Sequence, residues 1–587
     1  MYKSLKDFVD FLESKGELIR VKEFVDPVLE IAEITDRISK QPGGGKAILF
    51  ENTGTDYPVL TNMMGSEKRM AAALGVESID EIPQIMNDLM KDLLQPRSSL
   101  LDKIKLLPQL KEASEWFPKR HKGHAPCQEV ILYKPDLSRL PILQCWPFDG
   151  GRFVTLPLVH TKDPKTGIRN VGMYRMQVFT ENTTGMHWHR HKTGARHFAE
   201  CENDRFPVAV CIGGDPVYTY AATAPLPDGI DEYLFAGFLR NKAVSLVDCL
   251  TQDLQVPADC DFVLEGYIEK NAEPVIEGPF GDHTGFYSLP DMYPTFHITC
   301  ISHRKDAIYP ATLVGIPPQE DKYIALATEK IFLSPIKFTM APEVHDLYLP
   351  EEGVGHNIAV VSIKKSYPGQ AIKVAHALWG AGQMMFNKMM IVTDADVDVR
   401  DREELLQCIQ QNYLPKRDTH FSRGPMDVLD HAAQQCGYGG KIMIDATVKF
   451  DEEGGSVKNS SISNLKTLHF TSNVDELLGI VNIILDNERL AKNDYFAMWL
   501  LGNNFDPVRD SSYVDGKLVI DCRSKSKGYK GFTRDWPEYA LSSNSTIEAI
   551  NSKWETLGVG EFTESPSALF KRCFPDNYKD YKSYKKD

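Results

Sequence analysis

Near residue 330 the spacing of apolar residues changes, and that change limits the folds open to this chain. Between about 128 and 320 the apolar runs are short and end in turns. Val208-Ala209-Val210-Cys211-Ile212 stops at Gly213-Gly214-Asp215-Pro216, and residues 262–268 and 295–301 repeat the pattern, with one helical stretch at about 229–241. Short strands joined by Gly/Pro turns predict a β-barrel or sandwich. Beyond 330, strands at 357–364 and 388–393 alternate with helices at 370–386 and 402–411. That alternation predicts an α/β layer. Ahead of both, Leu5, Phe8, Val9 and Leu12 share one face of a helix, and residues 47–50 and 58–61 read as strands. The chain therefore reads as α+β. It has an N-terminal α+β domain over 1–110, a linker at 106–127, a strand-rich central domain over 128–325 and an α/β domain over 330–451. Residues 452–587 form a C-terminal insertion and extension, whose last 13 residues lack apolar periodicity and read as a frayed tail.

Several cores are expected at 587 residues, since one core rarely grows past about 250–300. The net charge of −15 argues against nonspecific nucleic-acid binding, which rests on neutralising phosphates. Eleven cysteines without a CxxC pair suit neither a zinc module nor a disulfide framework. No apolar run approaches the roughly 20 residues that span a bilayer, and the N-terminus has no signal-peptide core. The expectation is a soluble, cytoplasmic protein without an integral membrane segment.

The stretch Glu277-Gly278-Pro279-Phe280-Gly281-Asp282-His283-Thr284-Gly285 sets two carboxylates five residues apart on a backbone shaped by glycine and proline. Taken alone, it reads as a solvated turn. His187-Trp188-His189-Arg190-His191 invites a metal, yet adjacent ligands on one strand face rarely converge on one ion, so His187 and His189 read as a polar face. Asn170 and Arg175 would point to opposite sides of a strand unless Gly172 makes a bulge. Glu232 reads as a first-turn helix acid. Cys436-Gly437-Tyr438-Gly439-Gly440-Lys441 lacks P-loop spacing, and Asp394-Ala395-Asp396-Val397-Asp398 reads as a strand-end loop. Gly440–Asp445 echoes Gly516–Asp521, which is read here as two unrelated strands. No G-x-S-x-G, GxGxxG or HExxH occurs.

In order and spacing, Asn170-x4-Arg175, His191, Pro225-x-Pro227-Asp228-x3-Glu232 and Glu277-Gly-Pro-Phe-Gly-Asp282 resemble the UbiD family of reversible, non-oxidative decarboxylases. Val263-Leu264-Glu265-Gly266-Tyr267 and Asp321 also fall where the family's equivalents stand, and the resemblance covers roughly residues 1–450. It implies a flavin-reductase-like split β-barrel in the middle of the chain and an oligomerising C-terminal domain. It implies prenylated FMN, supplied by a flavin prenyltransferase, with Mn²⁺ or another divalent ion and a monovalent ion such as K⁺. By position, Asn170, His191 and Glu232 would ligate the divalent ion, and the carbonyls of Ala221, Ala222 and Ala224 the monovalent one. Met173, Tyr174, Arg175, Arg190 and His191 would line the cofactor, and Lys441, or else Lys517, would touch its phosphate. Arg175, Glu277 and Asp282 would be the catalytic trio. The implied substrate is an aromatic or α,β-unsaturated carboxylic acid, and the wording of residues 283–288 leans towards polyprenyl-4-hydroxybenzoate in quinone biosynthesis. A homo-oligomer from dimer to hexamer, with peripheral membrane contact, would fit. The alternatives are a noncatalytic flavin-binding or assembly protein on the same fold, or a carboxylase in vivo. Residues 452–515 read as an insertion, helical over 474–490, that caps the site or extends an interface.

Overall fold

The computed structural model describes residues 2–94, 113–455 and 465–573, so the expected tail and part of the linker lie outside the described residues. Helix Leu5–Ser14 starts where the Ser4 hydroxyl accepts the Asp7 N–H, and it buries Leu5, Phe8, Val9 and Leu12. It packs beside a four-stranded sheet ordered Leu18–Phe24, Ala47–Asn52, Val59–Thr61 and Tyr309–Pro310. The last strand comes from the far end of the central domain, so the first two domains share a sheet.

The central domain is a seven-stranded sheet. Its path runs Thr183–Gly185, Thr295–His303, Phe262–Glu269, Arg205–Ile212, Leu158–Lys162, Arg169–Met173, with Val130–Leu132 on the Thr295–His303 strand. All of these pairs are antiparallel. The strand Arg169–Met173 has no bulge. Gly172 instead gives room to a ring, because a Cβ there would lie 2.4 Å from the Tyr174 hydroxyl.

The C-terminal region forms two sheets. The first is ordered Val344–Tyr348, Ile358–Ile363, Met389–Asp394, Tyr438–Asp445, Thr419–Pro425; its three middle strands are parallel and the last is antiparallel. The second, Lys466–Thr471, Gly479–Ile484, Lys517–Asp521, Ser511–Val514, repeats the order and directions of the last four strands of the first. The echo expected to be accidental is thus a structural repeat. A short turn precedes the antiparallel strand in both copies, Pro415–Asp418 and Pro507–Asp510. Its arginine grips the next residue, Arg417 on Asp418 at 2.7 Å and Arg509 on Asp510 at 2.6 Å. A lysine follows each central strand. Lys449 and Lys525 bond the carbonyls of Asp445 and Asp521 at 2.9 and 2.6 Å, and each stands 3.9 Å from the turn aspartate. The copies pack reciprocally, the turn Pro507–Asp510 on the strand Tyr438–Asp445 and the turn Pro415–Asp418 on Lys517–Asp521.

The helix expected over 474–490 is replaced by the strand Gly479–Ile484 and a short helix, Glu488–Ala491. A fully buried six-residue run, apolar except for Asn482, carries no period that separates helix from strand, and its three isoleucines and one valine favour the strand. The chain then returns to its start. Helix Asn544–Leu557 lies on helix Glu30–Ser39, where the fully buried Arg37 bonds Glu33, Asn551 and the Thr563 carbonyl. Among the described residues no helix is long and apolar enough to cross a membrane.

Candidate active site

The loop after strand Val275–Glu277 is fixed by backbone bonds to neighbouring side chains. The Gly278 N–H donates to Gln177 Oε1 at 2.7 Å, Phe280 N–H to Ser288 Oγ at 3.1 Å and Gly281 N–H to Asp149 Oδ1 at 2.8 Å. Asp149 also accepts the amides of Cys145 and Trp146; burial nevertheless pushes its carboxyl up to about 7. From behind, the indole Nε1–H of Trp499, in the second copy of the repeat, donates to the Thr284 carbonyl at 2.9 Å. The extension adds two further bonds, Tyr287 N–H to Glu538 O and Ala540 N–H to Gly285 O, each 2.9 Å. The insertion therefore backs the loop.

This frame brings three distant residues together. The chain leaves its strand at Met173, and Arg175 turns to the loop. Its guanidinium takes Glu277 in a bidentate grip, Nε to Oε1 at 2.9 Å and Nη2 to Oε2 at 3.0 Å. Nη1 bonds Asp282 Oδ2, Nη2 also reaches Ser288 Oγ, and the guanidinium lies 4.9 Å from the Phe280 ring centre. Burial alone would raise both acids. Arg175 and His187 instead bring Glu277 down to about 2, and His283 with Arg175 holds Asp282 well below the usual carboxylate range.

His187, expected on a polar strand face, belongs to this group. The segment after Gly185 is irregular, so the parity argument for a shared face does not apply. His187 Nδ1 lies 3.0 Å from Glu277 Oε2, its Nε2 lies 2.8 Å from His189 Nε2, and its ring packs on Tyr293. Burial and Arg175 lower its pKa, so the ring is neutral. Neither Ser288 nor Tyr293 was singled out from the sequence, and only their nearness to the motif could have flagged them.

Asn170 and Glu232 line one cleft of about 230 Å³. Glu232 opens helix Glu232–Leu239, accepts the Val171 N–H at 2.9 Å, and is pushed up to about 8 by burial. The Asn170 side-chain nitrogen is buried without a partner. An orphaned amide beside a carboxyl that burial raises, despite the Val171 N–H and the nearby Arg169, fits a hard divalent ion, with the amide turned to present its oxygen. His191 is not among the lining residues; its exposed ring lies 4.8 Å from Phe386 of the C-terminal domain. Among the described residues no group of three His, Cys, Asp or Glu side chains is spaced for a metal. Tyr174 is buried with its hydroxyl near Asn170, Met173 is half-buried and Arg190 is exposed. Ala221, Ala222 and Ala224 sit at the C-terminal end of helix Pro216–Thr223, where Ala221 O accepts the Ala224 N–H and Ala224 O the Leu226 N–H.

Known proteins converge on the same reading. Residues 9–89, 119–317 and 322–446 match the N-terminal, Rift-related and C-terminal domains of 3-octaprenyl-4-hydroxybenzoate carboxy-lyase, UbiD. The chain belongs to the UbiD family. It is a carboxy-lyase, as that family is. An uncharacterized protein of Aquifex aeolicus is 50% identical over 456 residues, which is 77% of this chain and 93% of that one. The UbiD-class enzyme HmfF of Pelotomaculum thermopropionicum, solved with FMN, is 27% identical with a TM-score of 0.64, over 79% of this chain and 99% of that one. Vanillic acid decarboxylase of Sedimentibacter hydroxybenzoicus is 30% identical with a TM-score of 0.67, over 76% and 92%. The match to the family's C-terminal domain ends at residue 446, short of the second copy of the repeat. Of the two candidate phosphate lysines, Lys441 is buried in the first copy and bonds the carbonyls of Met385 and Asn387 at 2.6 and 2.8 Å. Lys517, in the second copy, bonds the Leu477 carbonyl.

Proposed function

We propose that this chain is a non-oxidative decarboxylase of an aromatic or α,β-unsaturated carboxylic acid that uses prenylated FMN, with polyprenyl-4-hydroxybenzoate as the first substrate to test. The observation that carries the reading is Arg175 held between Glu277 and Asp282. When bound, the cofactor supplies the electron sink for loss of CO₂. Asn170 and Glu232 would hold the divalent ion, Mn²⁺ by their oxygen chemistry, that anchors its phosphate. His191 would join them by leaving Phe386, and Lys441 would reach the phosphate by giving up a carbonyl. The helix end at Ala221, Ala222 and Ala224 would hold K⁺, and the central sheet would serve as a split barrel around the flavin.

The chain's own residues handle the carboxylate and the proton. Glu277 already saturates one edge of Arg175, so an arriving carboxylate competes with Asp282 for Nη1. Displacement takes a cation from Asp282 and places an anion beside it, and both effects raise its pKa. Asp282 thereby becomes able to hold a proton, which it delivers to the carbon that loses CO₂. Glu277 stays paired, braced by the His187 Nδ1–H, and keeps the guanidinium in one plane. The test is exchange of labelled CO₂ into 4-hydroxybenzoate, 3,4-dihydroxybenzoate and vanillate by protein co-expressed with a flavin prenyltransferase. Native mass spectrometry of the same protein reports which flavin is bound. Arg175→Ala should retain flavin and lose exchange; exchange at the wild-type rate by that variant refutes the assignment.

A further inference from the structure

Asp282 poses a difficulty as a proton donor. Arg175 grips one of its oxygens, and the other accepts from the His283 backbone N–H at 2.7 Å. A carboxylate so held carries almost no proton at neutral pH, so the proton must be stored close by. The His283 ring is the nearest store. Its Nδ1 lies 3.1 Å from Asp282 Oδ1, and its Nε2 lies 2.9 Å from Nε2 of His356. His356 comes from a different domain, in the turn before strand Ile358–Ile363, and its position is set by its own N–H on Gly353 O and by Asn387 on its carbonyl. The other ring nitrogen of His356, Nδ1, is buried without a partner. A line of three groups thus runs from Asp282 through His283 to His356.

We propose that His283 and His356 are positioning residues of a proton relay to Asp282, His283 carrying the proton and His356 accepting its Nε2–H, a role that rests on the decarboxylase reading above. The His283 cation donates its Nδ1–H to Oδ1 of Asp282 and its Nε2–H to Nε2 of His356. When a substrate carboxylate takes Arg175 from Asp282, the Nδ1 proton passes to Oδ1, and the ring ends neutral with its Nε2–H still on His356. The cation is restored from cleft water, to which His283 keeps 24% of its side chain open. The surroundings favour this direction. Asp282, Asp427 and Asp321 face His283 and, against burial, raise its pKa to about 9, whereas burial and His283 bring His356 down to about 4. Asp427, Lys388 and Lys192 are the other charges facing His356. The ring next to Asp282 therefore holds the proton, and the far ring stays neutral and accepts the Nε2–H of the first.

Two measurements on the full chain decide the matter. In protein labelled with ring-¹³C histidine, with His283 assigned through His283→Gln, His283 should titrate near pH 9 and His356 below pH 5. His356→Phe removes the acceptor of the His283 Nε2–H and should lower the His283 midpoint by half a pH unit or more. An unchanged midpoint overturns the relay, whether or not any acid is turned over. In cofactor-loaded enzyme exchanging labelled CO₂ into 4-hydroxybenzoate, His356→Phe should lower kcat at least tenfold with KM within twofold, and added imidazole should restore much of it. Wild-type kcat and an unshifted pH profile in that variant also overturn the relay. Loss of exchange in the wild type itself overturns the decarboxylase reading, and the titration still decides whether the rings are coupled.

Discussion

Gly285→Ala tests whether the second copy of the repeat fixes the proton-handling loop. Gly285 has φ +83°, a conformation that costs an L-residue about 1–2 kcal/mol. A Cβ there would lie 2.6 Å from Cζ2 of Trp499 and 3.0 Å from Cα of Ile316. Overpacking at a fully buried indole adds about 1–3 kcal/mol, so the substitution should cost the loop about 2–5 kcal/mol. Trp499→Phe alone removes the bond to the Thr284 carbonyl and leaves that oxygen buried, worth about 1–3 kcal/mol. It also removes the atom that the new Cβ meets. The double variant should therefore cost about 1–2 kcal/mol less than the sum of the two, a coupling of the size seen between touching residues. A chain with several cores does not unfold in two states, so the readout is native-state hydrogen exchange at single amides. Asp282, Gly285 and Tyr287 serve as probes, since their N–H groups bond Phe286 O, Asp282 O and Glu538 O. Exchange unchanged by Gly285→Ala, or strict additivity in the double variant, refutes the buttress.

Asp149→Asn should loosen the same loop from the other side, because one amide oxygen replaces two carboxylate oxygens that accept three N–H groups. The expected loss is about 1–3 kcal/mol in the exchange of the Gly281 amide. Arg37→Ala should leave Glu33 uncompensated in the core, at about 3–5 kcal/mol. Residues 538–573 should then become the first site of limited proteolysis, and an unchanged digestion pattern would count against the clasp. The ion network of the loop has opposite limbs in pH. Glu277, lowered to about 2, stabilises the fold above its unfolded value of about 4.3, and that contribution disappears as pH falls towards 2. His283, raised to about 9, stabilises below its unfolded value of about 6.5, and that contribution disappears as pH rises through 9. Loop protection should therefore be greatest between about pH 4.5 and 6.5; Glu277→Gln should flatten the acid limb and His283→Gln the alkaline one.

The parts legible in the sequence were those whose chemistry lies in a short stretch. Glu277 and Asp282 share one nine-residue run, and the periods near Leu5 and Met389 gave a helix and a strand within about a residue of where they fall. His187 was misjudged because its role depends on Glu277, 90 residues on, and on a segment that is not a strand at all. The same limit applies to Trp499, which meets Thr284 across 215 residues. An apolar tryptophan in a helical run gives no sign that its one polar atom holds a catalytic loop. The helix expected over 474–490 failed for a different reason, since the short buried run of residues 479–484 satisfies either period.

The echo read as two unrelated strands because what the repeat preserves is a frame of few residues: a Pro-x-Arg-Asp turn, a central strand after Gly-Lys, and a lysine four residues past an aspartate. Each does the same work in both copies, fixing the turn beneath the strand. What changed lies where the copies meet. Leu414 precedes the first turn, and Asp506 stands in its place before the second. Asp506 caps its own turn through the Val508 and Arg509 amides and also accepts the Gly440 and Gln434 amides of the first copy. Gly440 is needed for that approach, as a Cβ there would lie 2.6 Å from Asp506 Oδ1, whereas its counterpart Gly516 has open space. The exchange is therefore lopsided. The second copy holds the edge of the strand that carries Lys441 and, through Trp499, the backbone of the Asp282 loop. Its own Lys517 bonds only a carbonyl of its own sheet. A sheet that keeps its frame and spends its altered positions on its neighbours thus works as a wall behind the strand of Lys441 and the loop of Asp282.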